Sequence, residues 1–454
     1  MPFATTNPAT GQTEKEFPSH TPAEVDAFLD RAVAAFAEYK TTTYAERSRH
    51  LLTAAELLEA EVPDVARILT TEMGKTFAAA KAEVSKSAAG LRWFAENGER
   101  LLADEVITTS ASKSYIHYQP LGVVLAVMPW NFPMWQVIRF AAPALMVGNC
   151  GLLKHASNVP QTAAAIEDLF RRAGLPEGVF TNLYVDSKDV AALIGDPRIV
   201  AVTLTGSEPA GMSVAAAAGH ALKKTVLELG GSDPFLVLGS ADLDACVRTA
   251  VTARVQNNGQ SCIAAKRFIV VDEVHDEFLS RFTAAMDALV VGDPFDPATD
   301  VGPIVTAAQR EELRGQIEAA RSQGATVHAG AKVPDGDGWY LAPTVLSGVT
   351  TDMPVSQEEL FGPVAMVLRV SDVDAAIEVA NATPFGLGSS VWTSDQDEER
   401  RCIEGIEAGA VFVNAMVASM PELPFGGIKR SGFGRELSEV GLKEFANVKT
   451  VYIA

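Results

Sequence analysis

Val123-Val124-Leu125-Ala126-Val127-Met128-Pro129-Trp130-Asn131-Phe132-Pro133 runs six apolar residues into a proline-flanked aromatic–amide pair. The apolar run is short, β-branched and closed by Pro129, which reads as a buried strand. Trp135 to Val147 then reads as a helix stopped by Gly148. Working outward, the alternation continues: Gly151–Leu153 (strand), Gln161–Ala173 (helix, ended by Gly174), Phe180–Val185 (strand) and Val190–Ile194 (short helix). Ile199–Leu204 (strand), Glu208–Ala218 (helix) and Thr225–Leu227 (strand) complete the series. Strand–helix units at this spacing predict a doubly wound parallel sheet, an α/β fold.

A second alternating series runs from Pro234 to about Val413, and residues 23–102 are helical in pattern. The tail Val448-Lys449-Thr450-Val451-Tyr452-Ile453 is strand-like and needs a partner, for which Ser114–Gln119 is the simplest choice, within or between subunits. Gly230-Gly231 is the expected hinge between the two α/β units. With 454 residues, two or three domains are expected at ~100–200 residues each.

Composition narrows the function classes. A hydrophobic content of 48% and a charged content of 21% describe a globular chain with ample core. No apolar run approaches the ~18 residues that span a bilayer, and the start Met1-Pro2-Phe3-Ala4 has no leader pattern. The net charge of −20 argues against nucleic acid and anionic membrane as partners. Four scattered cysteines (150, 246, 262, 402) form no disulfide framework, so a cytoplasmic location is expected. No Cys/His spacing suggests a metal.

The chemistry concentrates in Asn257-Asn258-Gly259-Gln260-Ser261-Cys262. A thiol on a short polar connection between a helix-like run (Ala245–Val255) and a strand (Phe268–Val271) is reachable, and its thiolate is a good nucleophile. A buried structural cysteine is the other reading. Thr205-Gly206-Ser207 follows a strand and opens a helix, a turn suited to pyrophosphate. It lacks the three-glycine fingerprint, and a plain helix start with Ser207 as N-cap explains it equally. Asn131, at the carboxyl end of a strand, can donate to an oxyanion or merely close a turn. Glu228 suits a base acting on water, or a salt-bridged surface acid. Lys154 suits a ribose or phosphate, or simple solvation.

Taken in order, Pro129-Trp130-Asn131-Phe132-Pro133, Lys154, Thr205-Gly206-Ser207, Leu227-Glu228-Leu229-Gly230-Gly231, Gly259-Gln260-Ser261-Cys262, Glu359-Leu360-Phe361-Gly362-Pro363 and Pro424-Phe425-Gly426-Gly427 resemble the aldehyde dehydrogenase superfamily over nearly the whole chain. The resemblance implies Cys262 as nucleophile, Asn131 as oxyanion donor and Glu228 as the base for hydrolysis. It implies Trp130, Lys154, Gly206, Ser207, Leu229, Glu359 and Phe361 as cofactor contacts. It further implies a dinucleotide-binding domain (1–107 and 121–229), a catalytic domain (230–429) and a β-element joining subunits (108–120 and 440–454), in a homodimer or homotetramer.

Two departures sharpen the expectation. Members that prefer NAD commonly carry a Glu three residues after the lysine; Ser157 stands there, which removes repulsion against a 2′-phosphate and predicts NADP over NAD. Within the superfamily the chain looks like the short succinate-semialdehyde dehydrogenases, with Trp135 and Arg139 in the substrate tunnel and Arg139 as carboxylate clamp. Longer members often carry an arginine six residues before the nucleophile; here it is Gln256, so the clamp is expected to be weaker or shared with Ser419. Ala264 excludes an intraloop disulfide switch with Cys262.

Three rivals are weaker. A cysteine hydrolase needs a histidine beside Cys262, and the seven histidines stand in no hydrolase motif. Acylating relatives that release to CoA usually lack the Glu228 equivalent. Non-catalytic paralogues tend to lose the nucleophile or base. A broader aldehyde specificity is the alternative to succinate semialdehyde.

Overall fold

The computed structural model describes residues 3–334 and 336–454; Met1 and Pro2, which open the stretch read against a leader, and Asp335 lie outside it. The apolar run at Val123–Met128 is a strand with the expected limits. It lies fourth in a six-stranded sheet ordered Gly432–Phe433, Lys224–Glu228, Ile199–Thr205, Val123–Met128, Cys150–His155, Phe180–Asn182. All neighbours pair in parallel except the short Gly432–Phe433 edge. The parallel strands therefore wind outward in both directions from the Val123–Met128 and Ile199–Thr205 pair. The carboxyl ends of that pair are the topological switch point, where such sheets open a crevice for ligands.

The second series forms a seven-stranded sheet ordered Thr326–Ala329, Thr344–Ser347, Val364–Val370, Arg267–Val271, Pro234–Val237, Ser389–Trp392, Val411–Val413. Only its Thr326–Ala329 edge is antiparallel. The two sheets bury separate apolar cores, one around Leu125 and Val202, the other around Phe235, Phe268 and Phe282.

The helical stretch at the start resolves into four helices, Pro22–Tyr39, Tyr44–Ala60, Val62–Met73 and Phe77–Leu101. Thr21 and Thr43 each open a helix with a capping box, to Glu24 and Glu46. The tail finds its expected partner: Ala446–Ile453 pairs antiparallel with Lys113–Pro120, Val448 opposite Tyr118 and Tyr452 opposite Ser114. No described helix is long and apolar enough to cross a membrane.

One local expectation fails and one open reading narrows. The strand read at Phe180–Val185 stops at Asn182. Ser207 stands at the N-cap of the helix Glu208–His220 with extended backbone, yet its hydroxyl makes no capping bond.

Candidate active site

The helix Trp135–Val147 is buried along its whole length. Its first free N–H groups, which a helix start leaves without partners, are met from outside. Glu83, on the helix Phe77–Leu101, accepts from the N–H of Met134 at 2.9 Å and of Trp135 at 3.0 Å. Its other oxygen pairs with Lys75, which also donates to the Asn131 carbonyl at 2.9 Å. This buried network fixes the turn that carries Trp130 and Asn131.

The nucleophile loop is held as tightly. After the helix Leu243–Val255, Asn257 and Asn258 both adopt left-handed backbone, with φ of 56° and 57°. Asparagine tolerates this region when its amide finds local partners. Asn258 Nδ2 donates to the carbonyls of Gly74 (2.8 Å) and Pro303 (3.0 Å), and Asn257 Nδ2 to those of Asn131 (2.8 Å) and Gln260 (2.9 Å). Gly259, at φ 74°, lies so close to Gly362 that a Cβ would stand 2.4 Å from its carbonyl carbon. Lys266 Nζ donates to the carbonyls of Ser261 (2.9 Å) and Cys262 (2.6 Å). The Cys262 N–H has no acceptor among the described residues, so it is free to face a ligand.

A cleft of about 640 Å³ opens at the switch point. Trp130, Asn131, Gly206, Ser207, Leu229, Cys262, Glu359 and Phe361, eight of the residues singled out in the sequence, line it together. Trp130 and Phe361 meet edge to face, centroids 5.6 Å apart. Glu359 is fixed by Lys266 Nζ and by the Gly231 N–H, each at 3.1 Å. Gly230 and Gly231 serve close approach here: a Cβ on Gly230 would stand 2.5 Å from Glu359 Oε2, and one on Gly231 2.9 Å from the Cys262 carbonyl oxygen.

Burial pushes the Cys262 thiol up to about 12, against the pull of the Lys266 and Arg139 cations. The resting group is therefore a thiol that loses its proton as it reacts. The other three cysteines are buried, and all four are free.

Glu228 lines neither this cleft nor the neighbouring cavity. It is buried, with both carboxyl oxygens lacking hydrogen-bond partners among the described residues, and Oε1 lies where a Cβ on Gly426 would come within 2.6 Å. Burial, reinforced by the Glu436 carboxyl, holds it well above the usual carboxylate range, while Arg139 and Arg435 pull the other way.

Arg139 is not free in a tunnel. Its guanidinium is buried in an ion pair with Glu436, 4.6 Å over the Phe425 ring, with Nη2 3.3 Å from Thr205 Oγ1. Phe425 and Ser419 line a second cavity of about 370 Å³. Trp135 Nε1 donates to Ser419 Oγ at 2.9 Å, bringing these two expected substrate residues together. Gln256, the C-cap of the helix Leu243–Val255, lines neither cavity.

Lys154, within the Cys150–His155 strand, and Ser157, two residues past its end, lie apart from the cleft lining. Lys154 Nζ has one long contact, 3.4 Å to Ser187 Oγ, and burial lowers it from the ordinary lysine value against the pull of Asp186. A buried cation with the Ser187 hydroxyl beside it and no ion pair among the described residues fits a phosphate. The bond-free hydroxyl of Ser207 at a helix start in the cleft fits a pyrophosphate. The residues present thus suit a phosphorylated dinucleotide.

Sequence reasoning missed Lys86, Lys266, Glu436 and Ser187. Lys266 follows Cys262 by four residues and Glu436 follows Gly427 by nine, and that nearness to the motifs was the available signal. Lys86 and Ser187 carry none.

Comparison with known proteins agrees with this geometry. The aldehyde dehydrogenase family matches residues 1–451. The chain is 58% identical to succinate-semialdehyde dehydrogenase (NADP+) 1 of Mycobacterium tuberculosis (strain ATCC 25618 / H37Rv) over 100% of both chains. It is 58% identical to succinate-semialdehyde dehydrogenase (NADP+) of Mycobacterium avium (strain 104), over 100% of this chain and 97% of that one. A solved succinic semialdehyde dehydrogenase from Streptococcus pyogenes, in complex with NADP+, superposes with a TM-score of 0.97 at 38% identity over 99% of each chain. This chain belongs to the aldehyde dehydrogenase family.

Proposed function

We propose that this protein oxidises succinate semialdehyde to succinate, with NADP+ as preferred oxidant and NAD+ as the weaker alternative. The observation that carries the reading is full-length identity of 58% to enzymes of that name and cofactor, joined to a cleft in which Cys262 meets a dinucleotide-sized crevice.

Cys262 Sγ gives its proton to solvent and attacks the aldehyde carbon, the C=O π pair moving to oxygen to form a thiohemiacetal oxyanion. The Cys262 N–H and the Asn131 amide hold the oxygen that gains charge, both fixed before the substrate arrives. When NADP+ is bound, its nicotinamide supplies the acceptor for a hydride. Loss of the carbon-bound hydrogen with its electron pair leaves a thioester on Cys262. Glu228 takes a proton from water, which attacks the thioester carbon; the C–S bond breaks, the acid leaves, and Glu228 returns the proton to the Cys262 sulfur. Burial and the Glu436 carboxyl raise Glu228, which makes its ionised form a stronger base toward water. Lys154, Ser157 and Ser187 hold the 2′-phosphate, Ser207 the pyrophosphate, and Glu359 the nicotinamide ribose.

The six-stranded sheet belongs to the dinucleotide-binding domain and the seven-stranded sheet to the catalytic domain. The antiparallel element leaves Val106, Val448 and Tyr452 exposed, an apolar surface that supports a homodimer or homotetramer. Four free cysteines support a reducing cytoplasm. The engagement of Arg139 by Glu436 favours, as a second reading, a broader aldehyde range. Rates on succinate semialdehyde against uncharged butanal decide between the two.

A further inference from the structure

The substrate reading requires a cation for the distal carboxylate, and Arg139 is already engaged by the carboxylate of Glu436. The helix Phe77–Leu101 supplies another. Lys86 is half-buried, and its Nζ donates to Ser419 Oγ at 2.8 Å and lies 4.5 Å from the Trp135 ring. One turn on, Gly90 presents the same helix face. A Cβ there would stand 2.8 Å from Trp135 Cζ3, so glycine lets the indole settle against this helix beside the lysine.

The charge of Lys86 is uncompensated. It makes no ion pair among the described residues, and the acid one turn earlier, Glu83, is taken by Lys75 and by the Met134 and Trp135 N–H groups. Burial and the Arg139 cation lower Lys86 to about 8, while Glu83 and Cys262 pull it up. The ammonium thus feels both the nucleophile and the second cation.

Ser419 completes the arrangement. Its Oγ accepts from both Lys86 and Trp135, which leaves its own proton to donate. It also lines the cavity that Phe425, lying beneath Arg139, helps to wall. An ammonium with unused donors beside a hydroxyl oriented to donate is a carboxylate receptor.

The geometry points to Lys86, acting with Ser419, as the group that receives the far carboxylate of the semialdehyde. Arg139 then contributes through its field from behind Phe425. This inference rests on the succinate-semialdehyde reading above.

The test uses the full-length enzyme with saturating NADP+. It compares Lys86→Met, which keeps length and helix propensity, with Lys86→Arg, which keeps the charge. Kinetic constants are measured on succinate semialdehyde and on butanal. One charge-assisted hydrogen bond predicts a fall of about ten- to a hundredfold in the semialdehyde-to-butanal ratio of kcat/KM for Lys86→Met. The fall is expected in KM for the semialdehyde, and Lys86→Arg recovers most of it. A wild-type ratio in Lys86→Met overturns the inference. So does a parallel fall on both aldehydes in both variants, which marks a structural lysine. If the wild-type enzyme does not favour the semialdehyde over butanal, the substrate reading fails and the inference fails with it. A wild-type preference that survives in Lys86→Met removes the inference alone.

Discussion

The Asn131 side-chain amide donates to the Gln260 carbonyl, 3.2 Å away and two residues before Cys262. The bond joins the turn at the switch point of one sheet to the loop that leads into the strand Arg267–Val271 of the other. One Nδ2 hydrogen is used in this bond, which leaves the second to meet an oxyanion. Removing one such donor from comparable sites costs about 10²–10³ in kcat. Asn131→Ala is therefore expected to lower kcat on succinate semialdehyde by about that factor. Binding of NADP+, read by titration of intrinsic tryptophan fluorescence, should persist. A kcat within threefold of wild type removes Asn131 from the oxyanion site.

In the proposed mechanism Cys262 and Glu228 are separated by the stage at which each acts. Cys262→Ala should abolish oxidation and retain cofactor binding. Glu228→Ala should give a first-turnover burst of NADPH followed by slow steady turnover, because acylation proceeds and the thioester waits for water. Rapid-mixing absorbance at the NADPH band reads both phases. Normal steady turnover in Glu228→Ala removes it as the deacylating base.

In the proposed function the cofactor preference rests on one small side chain. Ser157 is half-buried, and its carbonyl is pinned by the N–H of Ala4 at 3.0 Å. A carboxylate at this position repels a 2′-phosphate and can accept from ribose hydroxyls. Ser157→Glu is expected to lower the NADP-to-NAD ratio of kcat/KM by about tenfold or more. An unmoved ratio places the discrimination elsewhere.

A pH profile follows from the burial of Lys86. Its ammonium, lowered to about 8, is present below that pH and lost as pH rises through it. The titratable and charged groups facing it are Glu83 on its own helix, Arg139 on the helix Trp135–Val147, and Cys262. Ionisation of Cys262 affects any aldehyde alike and cancels in a ratio. The semialdehyde-to-butanal ratio of kcat/KM, which reports the free enzyme, should be flat below neutrality and fall as pH rises through about 8. In Lys86→Met the profile should be flat throughout. A falling profile that persists in Lys86→Met assigns the titration to another group.

Legibility in the sequence followed the range of the interactions. Val123–Met128 and Trp135–Val147 were readable to the residue because Pro129 and Gly148 punctuate apolar runs. The pairing of the tail with Ser114–Gln119 was readable because two isolated strand patterns had no other partner. At Ser207 the sequence leaves a capping serine and a pyrophosphate turn equally open, and the residue stands at the N-cap with no capping bond from its hydroxyl. The left-handed pair Asn257 and Asn258 was hidden: their amides are satisfied by Gly74, Asn131 and Pro303, which no local pattern reveals. Arg139 was found by its motif, but its ion-pair partner Glu436 lies 297 residues on. Lys86 resembles any lysine on an amphipathic helix until Ser419, 333 residues away, comes into contact with it.

The most direct test of the account is initial rates of the purified protein on succinate semialdehyde and on butanal, each with saturating NADP+ and then NAD+. The account predicts kcat/KM highest for the semialdehyde with NADP+, at least tenfold above butanal, as about one charge-assisted contact requires. Equal rates on the two aldehydes, or a clear preference for NAD+, contradict it.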